Sequence, residues 1–279
     1  MAAEQSKLAS RTAIVNVFES FRNELDEHND RRERLIKSSR DVTNLSKKVI
    51  FLLHRIMTED AAPEEQDDRA RALCAASRAK EKLKDIQQMF AAFKDEVRGD
   101  RFWRYQHNVS PGLQEYIEAL SFAHYLETDK LISFDEVQRT LSDEEGNPYF
   151  PLPLEDYLLG LSDLTGELMR YAISSISRRG GRLKANEVCT FVRGCRADFE
   201  AYTPYFRDLR KKQNVTTQSL EKIEDAAYAI AVRSSEYDLP PEILDDLVSR
   251  FVSGTHGGDS DGGRKKRPRE GEEDDMEYD

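Results

Sequence analysis

Cysteine, histidine and tryptophan are scarce in this chain of 279 residues, which has three, five and one of them. Cys74, Cys189 and Cys195 form an odd set without a CxxC pair, which excludes a disulfide framework and a zinc knuckle. They read as reduced thiols, and Cys189 and Cys195, six apart on a helical stretch, as small core residues. The histidines (28, 54, 107, 124 and 256) never recur at i, i+3 or i+4, the spacing that would place two on one helix face. His54 and His124, each inside an apolar stretch, are expected to be hydrogen-bonded packing residues. GxSxG, P-loop, GxGxxG and HExxH patterns are all missing, which removes the commonest hydrolase, nucleotide and zinc-protease signatures. The longest apolar run, residues 49–53, is too short to span a bilayer. Residues 1–10 are polar, unlike a signal peptide. The expectation is a protein of the cytoplasm and nucleus, with no membrane partner.

Charge, by contrast, is plentiful: 34% of residues are charged and 38% apolar, with a net charge of −11. Much of the imbalance is local. Arg264, Lys265, Lys266, Arg267 and Arg269 form a basic run, with nine acids between Asp259 and Asp279 around it. The other 37 basic and 44 acidic residues leave a net −7, a poor magnet for nucleic acid unless a local patch or a basic partner helps. The run itself suits an importin groove, which needs an extended basic strand. From Gly254 onward the composition has little that could pack, so 254–279 reads as a disordered tail and 1–253 as one helical domain.

Neither Gly nor Pro interrupts residues 1–62, and apolar residues recur there in steps of three and four: Ile14, Val17, Phe18, Phe21, Leu25, then Leu35, Val42, Leu45, Val49, Leu52, Leu53 and Ile56. This is one very long amphipathic helix, ended by Pro63. A second, carried by Leu73, Leu83, Ile86, Met89, Phe90 and Phe93, is closed by Gly99. A loop is expected over 101–112, with a third helix from about Pro111. Ser133 and Glu136 form a capping box for a short fourth helix. Residues 142–153, with one Gly and three Pro, are loop. Further helices follow at 153–177, 185–200 and 205–235, with a short one from Pro240. Without β alternation anywhere, the fold class is all-α, an extended bundle of about seven helices.

Chemistry is then left to carboxylates. Glu115 and Glu118 lie at i, i+3, and Asp163 and Glu167 at i, i+4, both in mostly apolar helices, the second beside Gly160, Gly166 and Arg170. Such spacings bring side chains to within about 5–6 Å at Cβ. Two readings stay open: a solvated helix face, or four hard oxygen donors for Mg²⁺ or Mn²⁺ with glycines leaving room for a phosphate. A di-iron bundle is excluded, because it needs Glu-x-x-His twice. Arg31, Arg34, Lys37, Arg40, Lys47 and Lys48 on the first helix could track a phosphate backbone or simply be solvated. In 101–105 cations alternate with aromatics, which suits stacking on single-stranded bases as well as plugging a bundle end.

Three stretches carry a resemblance: FRNELDEHNDRRERLIKSSRDVTNLSKKVIFLLHRI (21–56), GLQEYIEALSFAHYLETDKLISFDEV (112–137) and DYLLGLSDLTGELMR (156–170), extended more weakly by EKIEDAAYAIAVRSSEY (221–237). They resemble the translin family and, within it, the translin-associated factor X (TRAX) branch. The resemblance implies a seven-helix bundle and a hetero-octameric shell with translin subunits. It implies a Mg²⁺-dependent endoribonuclease for single-stranded RNA, with the acids at Glu115, Glu118, Asp163 and Glu167 as catalytic metal ligands. Arg170, Arg34, Lys37 and Arg40 are the candidate RNA contacts. The alternative is a non-catalytic translin partner and nuclear adaptor that binds nucleic acid.

Overall fold

A computed structural model describes residues 2–58, 68–176 and 181–236. Seven α-helices follow in order: α1 (Ala2–Thr58), α2 (Asp68–Ala92), α3 (Arg101–Thr128), α4 (Phe134–Thr140), α5 (Leu154–Ile176), α6 (Gly181–Tyr202) and α7 (Arg207–Glu236), with a 3-10 turn over Lys94–Val97. The expected stop at Pro63, the short helix from Pro240 and the whole tail with its basic run lie outside the described residues.

Six of the seven described helices form two groups of three. Helices α1, α2 and α3 pack on one another, as do α5, α6 and α7, and α3 against α5 is the seam that joins them. The reason lies in the apolar faces. α1 buries Leu35, Val42, Val49, Leu53 and Ile56, a stripe of helical period. α2 buries Ala72, Ala75, Ala76 and Ala79 before Leu83, Ile86 and Phe90, so small residues set its close approach while Leu73 is exposed. α5 packs against α3, α6 and α7 and buries Leu158, Leu159, Leu161, Leu164 and Leu168, leaving an arc with Gly166 and Arg170 open. At Gly160 an added Cβ would sit 2.7 Å from Ile117 Cγ2 and 3.0 Å from the Gln114 carbonyl. Here α5 touches α3 through a glycine, and this glycine leaves no room for a phosphate. Asp156, buried, reinforces the seam by accepting from Ser110 Oγ (2.9 Å) and Gln114 Nε2 (2.7 Å).

One expectation is overturned. Residues 101–112 are not a loop: α3 begins at Arg101 and carries Pro111 in its interior. Phe102, Tyr105, Val109, Leu113 and Tyr116 are all buried in steps of three and four, a helical stripe that outweighs the local breaker. α1 repairs the break in the ladder. Ser39 Oγ donates to the Val109 carbonyl (3.3 Å) and accepts from the Gly112 amide (3.0 Å), so the backbone groups beside the proline stay paired. With Phe102 and Tyr105 in the core, only Trp103 of that aromatic set is exposed.

The other boundaries follow their sequence signals. Gly99 has φ +65° ahead of α3, and the Ser133–Glu136 capping box is formed in both directions. Cys189 and Cys195 are buried. The N-terminal half of α1 is different: Ile14, Val17, Phe18, Phe21 and Leu25 are all exposed, an apolar face that no other described helix covers. No described helix is long and apolar enough to cross a membrane.

Candidate metal and RNA site

α3 carries Glu115 and Glu118 to the seam, and α5 carries Asp163 and Glu167. Glu118 feels the other three: its carboxyl is pushed up to about 9, first by burial, then by the charges of Asp163, Glu167 and Glu115. Burial disfavours the charged form and like charges add to that. Only 9% of Glu118 is exposed, and among the described residues neither a hydrogen bond nor an ion pair reaches its carboxyl. The solvated-face reading therefore fails for this residue.

The other three acids each have a basic partner from another element. Glu115 lies 3.3 Å from Lys47 Nζ of α1. Asp163 accepts from the Lys212 ammonium of α7, which also donates to the Leu159 carbonyl at 3.3 Å. Burial raises the Asp163 carboxyl, Lys212 pulls it back and Glu167 raises it further. Glu167 accepts from His54 Nε2 at 2.5 Å and lies 3.3 Å from Arg170. His54 is buried with its ring 4.9 Å from that of Phe122. It is indeed a hydrogen-bonded packing residue, but its partner is one of the four candidate acids. Sequence reasoning missed this pairing, and Lys212 too. Both come from helices remote in the chain, and a residue 113 positions from Glu167 leaves no local spacing to find.

Drawn toward these bases, the acids do not converge: among the described residues no three His, Cys, Asp or Glu side chains close on one ion position. The donor set nevertheless suits a hard divalent cation, since the charges of three carboxylates are felt at a fourth, Glu118, which is buried and has no ion pair among the described residues. Gly166, between Asp163 and Glu167, has nothing within 4 Å of where its Cβ would be, which leaves open space beside the acids. Arg170 is exposed at the edge of this group.

The remaining candidate RNA contacts separate. Arg34 is committed to Glu96, with Nε and Nη2 at 2.8 and 3.1 Å, and Arg31 reaches the same carboxylate at 2.9 Å. This ties α1 to the 3-10 turn. Lys37 and Arg40 are exposed, and Arg40 stands about 10 Å along the axis from Lys47.

A family model for the Translin family matches residues 30–234. The chain belongs to the translin family. Its relatives there include "Translin-associated protein X" of Rattus norvegicus, 35% identical over 88% of this chain and 87% of the relative. The "Translin-associated protein X homolog" of Schizosaccharomyces pombe is 30% identical over 78% and 89%. Translin itself, from Mus musculus, is 22% identical over 79% and 94%. Among solved structures, apo-NeC3PO (TM-score 0.56, 18% identity, 75% of this chain and 94% of that one) and AfC3PO (0.56, 21%, 77% and 97%) share the helical fold. The all-α architecture expected from the helix pattern is the fold that these two structures share with the chain.

Proposed function

We propose that this chain is the catalytic subunit of a translin-containing endoribonuclease that cleaves single-stranded RNA with Mg²⁺ or Mn²⁺. The observation that carries the reading is Glu118, buried at the α3–α5 seam without a hydrogen-bond or ion-pair partner among the described residues, where it feels the charges of Glu115, Asp163 and Glu167. The names of the relatives, associated with translin, support a translin partner, and the hetero-octameric assembly belongs to the same proposal.

Glu115, Glu118, Asp163 and Glu167 would hold the cation. It supplies activation of water and stabilisation of charge on the phosphoryl oxygens. The chain's own residues set the stage for that. His54, held against Phe122, fixes the rotamer of Glu167, as hydrogen-bonded carboxylates need to be oriented before they bind. Arg170 at the edge offers a guanidinium to a phosphate, and Lys37 and Arg40 extend that path along α1. An acidic body needs further basic surface to concentrate RNA, which a partner subunit provides. The run at 264–269 is the proposed importin-binding signal, giving access to the nucleus as well as the cytoplasm.

A second reading, a translin partner that binds RNA without cutting it, is favoured by one observation: three of the four acids are already engaged by bases. A cleavage assay decides. With translin co-purified and a single-stranded RNA substrate, the proposal expects cutting in Mg²⁺, none in EDTA, and loss in both Glu118→Ala and Asp163→Ala. Binding without cutting in the wild type would establish the second reading, and cutting that survives both substitutions would make the acids structural.

A further inference from the structure

The acid cluster of this fold is not left without a positive charge at its centre, and the source of that charge is specific. Lys47 and Arg170, more than half exposed, hold their acids through solvent-screened contacts. Lys212 is different. Its side chain is only 25% exposed, it comes from α7, and it reaches two acceptors on α5 four residues apart, Leu159 O and the Asp163 carboxylate. Its charge is also felt at Glu118, where it is the one cation opposing the three acids.

Building on the metal-dependent reading above, we propose that Lys212 is a positioning residue, the built-in counter-cation of this site, which holds Asp163 in the cation-free chain and gives it up when a divalent cation binds. Its two contacts make the exchange workable. The Leu159 carbonyl is a neutral anchor that keeps the ammonium on α5 after Asp163 has turned away. The carboxylate is the exchangeable partner, because a divalent ion and an ammonium compete for the same oxygens and the doubly charged ion wins once its concentration is high enough. This also accounts for the lack of convergence: with Asp163 drawn to Lys212 and Glu167 to His54, the acids rest apart. The cost of removing Lys212 follows as well, since Asp163 would become a second half-buried carboxylate without a partner.

The test is a Mn²⁺ titration followed by thermal unfolding of the full chain co-purified with translin, comparing wild type, Lys212→Met, Lys212→Gln and Lys212→Arg. Without added cation the Met and Gln variants should unfold several degrees below wild type. Their Mn²⁺ midpoint should move to concentrations about tenfold lower, because the competitor is gone. The Arg variant, which keeps the charge, should stay near wild type in both respects. A lysine that merely ties α7 to α5 would lower the unfolding temperature equally at every Mn²⁺ concentration. An unmoved or raised midpoint in both neutral variants would therefore overturn the proposal. A wild type that shows no Mn²⁺ response would fail earlier, at the metal reading itself.

Discussion

Glu96 and Glu118 are the same residue type in two regions of one molecule, and the fold treats them in opposite ways. Glu96, on the 3-10 turn, receives Arg31 and Arg34 of α1, and hydrogen bonding from Arg34 holds its carboxyl below the ordinary value. Glu118, at the seam, receives no hydrogen bond or ion pair from the described residues and is pushed up to about 9. A carboxylate that serves structure is given cations at its oxygens. One that is buried among other acids and left without a partner lowers the stability of the chain that contains it, and a ligand is what repays such a cost. Asp156 sharpens the contrast, because it is more deeply buried than Glu118 yet is paired with Ser110 and Gln114. Burial alone therefore does not mark the site; burial without a partner does.

The comparison can be broken most forcefully through activity. Glu118→Gln should reduce Mg²⁺-dependent cleavage by about 10²–10³-fold, the scale of losing several kcal/mol of charge stabilisation, while Glu96→Gln should stay within about twofold of wild type in the same assay. Equal losses would erase the distinction.

Next in size is stability without a divalent cation, where the two substitutions should differ in sign. The folded chain holds the Glu118 proton more tightly than the unfolded chain does, so this group's contribution is full below about 4.5 and is lost as pH rises toward about 9. Glu118→Gln should thus stabilise the cation-free chain at pH 7, on the order of 2–3 kcal/mol, and flatten its decline between pH 5 and 9 in chemical-denaturation curves.

Gly160→Ala should cost about 1–3 kcal/mol, because the new methyl must displace Ile117 or the seam itself. Widening the seam separates the two acid pairs, so calorimetry should show the loss of stability and the Mn²⁺-induced shift should shrink with it.

Smallest is Glu96→Gln, a loss of about 1 kcal/mol, since its pairing is partly open to solvent. Its carboxyl is depressed, so its stabilisation is present above the unfolded value near 4.5 and disappears as pH falls through the folded one. Wild type and variant should therefore converge in acid, the opposite slope to that of Glu118.

Much of this was legible in the chain. The seven described helices were all expected from periodicity and local signals, with the capping box and the loop with three prolines bounding α4 and α5. The interrupted helix α3 was not legible: Pro111 reads as a start until Ser39, 73 residues away from Gly112, is seen to satisfy the backbone around it. The acids could be named from their spacing and from family resemblance, but neither shows that Glu118 lacks a partner, since that depends on what α1 and α7 bring to the seam. His54 and Lys212 belong to the same class of information. Likewise the exposed stripe of α1 from Ile14 to Leu25 reads in sequence like the buried stripe that follows it; only the arrangement of the other helices separates the two.

The central claim is that the seam is a cation site with Glu118 at its heart, and anomalous X-ray scattering from crystals of the translin-bound chain grown with Mn²⁺ tests it most directly. The account expects a peak between α3 and α5, bonded to a Glu118 oxygen and absent from Glu118→Gln crystals. A wild-type complex that cleaves RNA under the same conditions with no peak at Glu118 would contradict it.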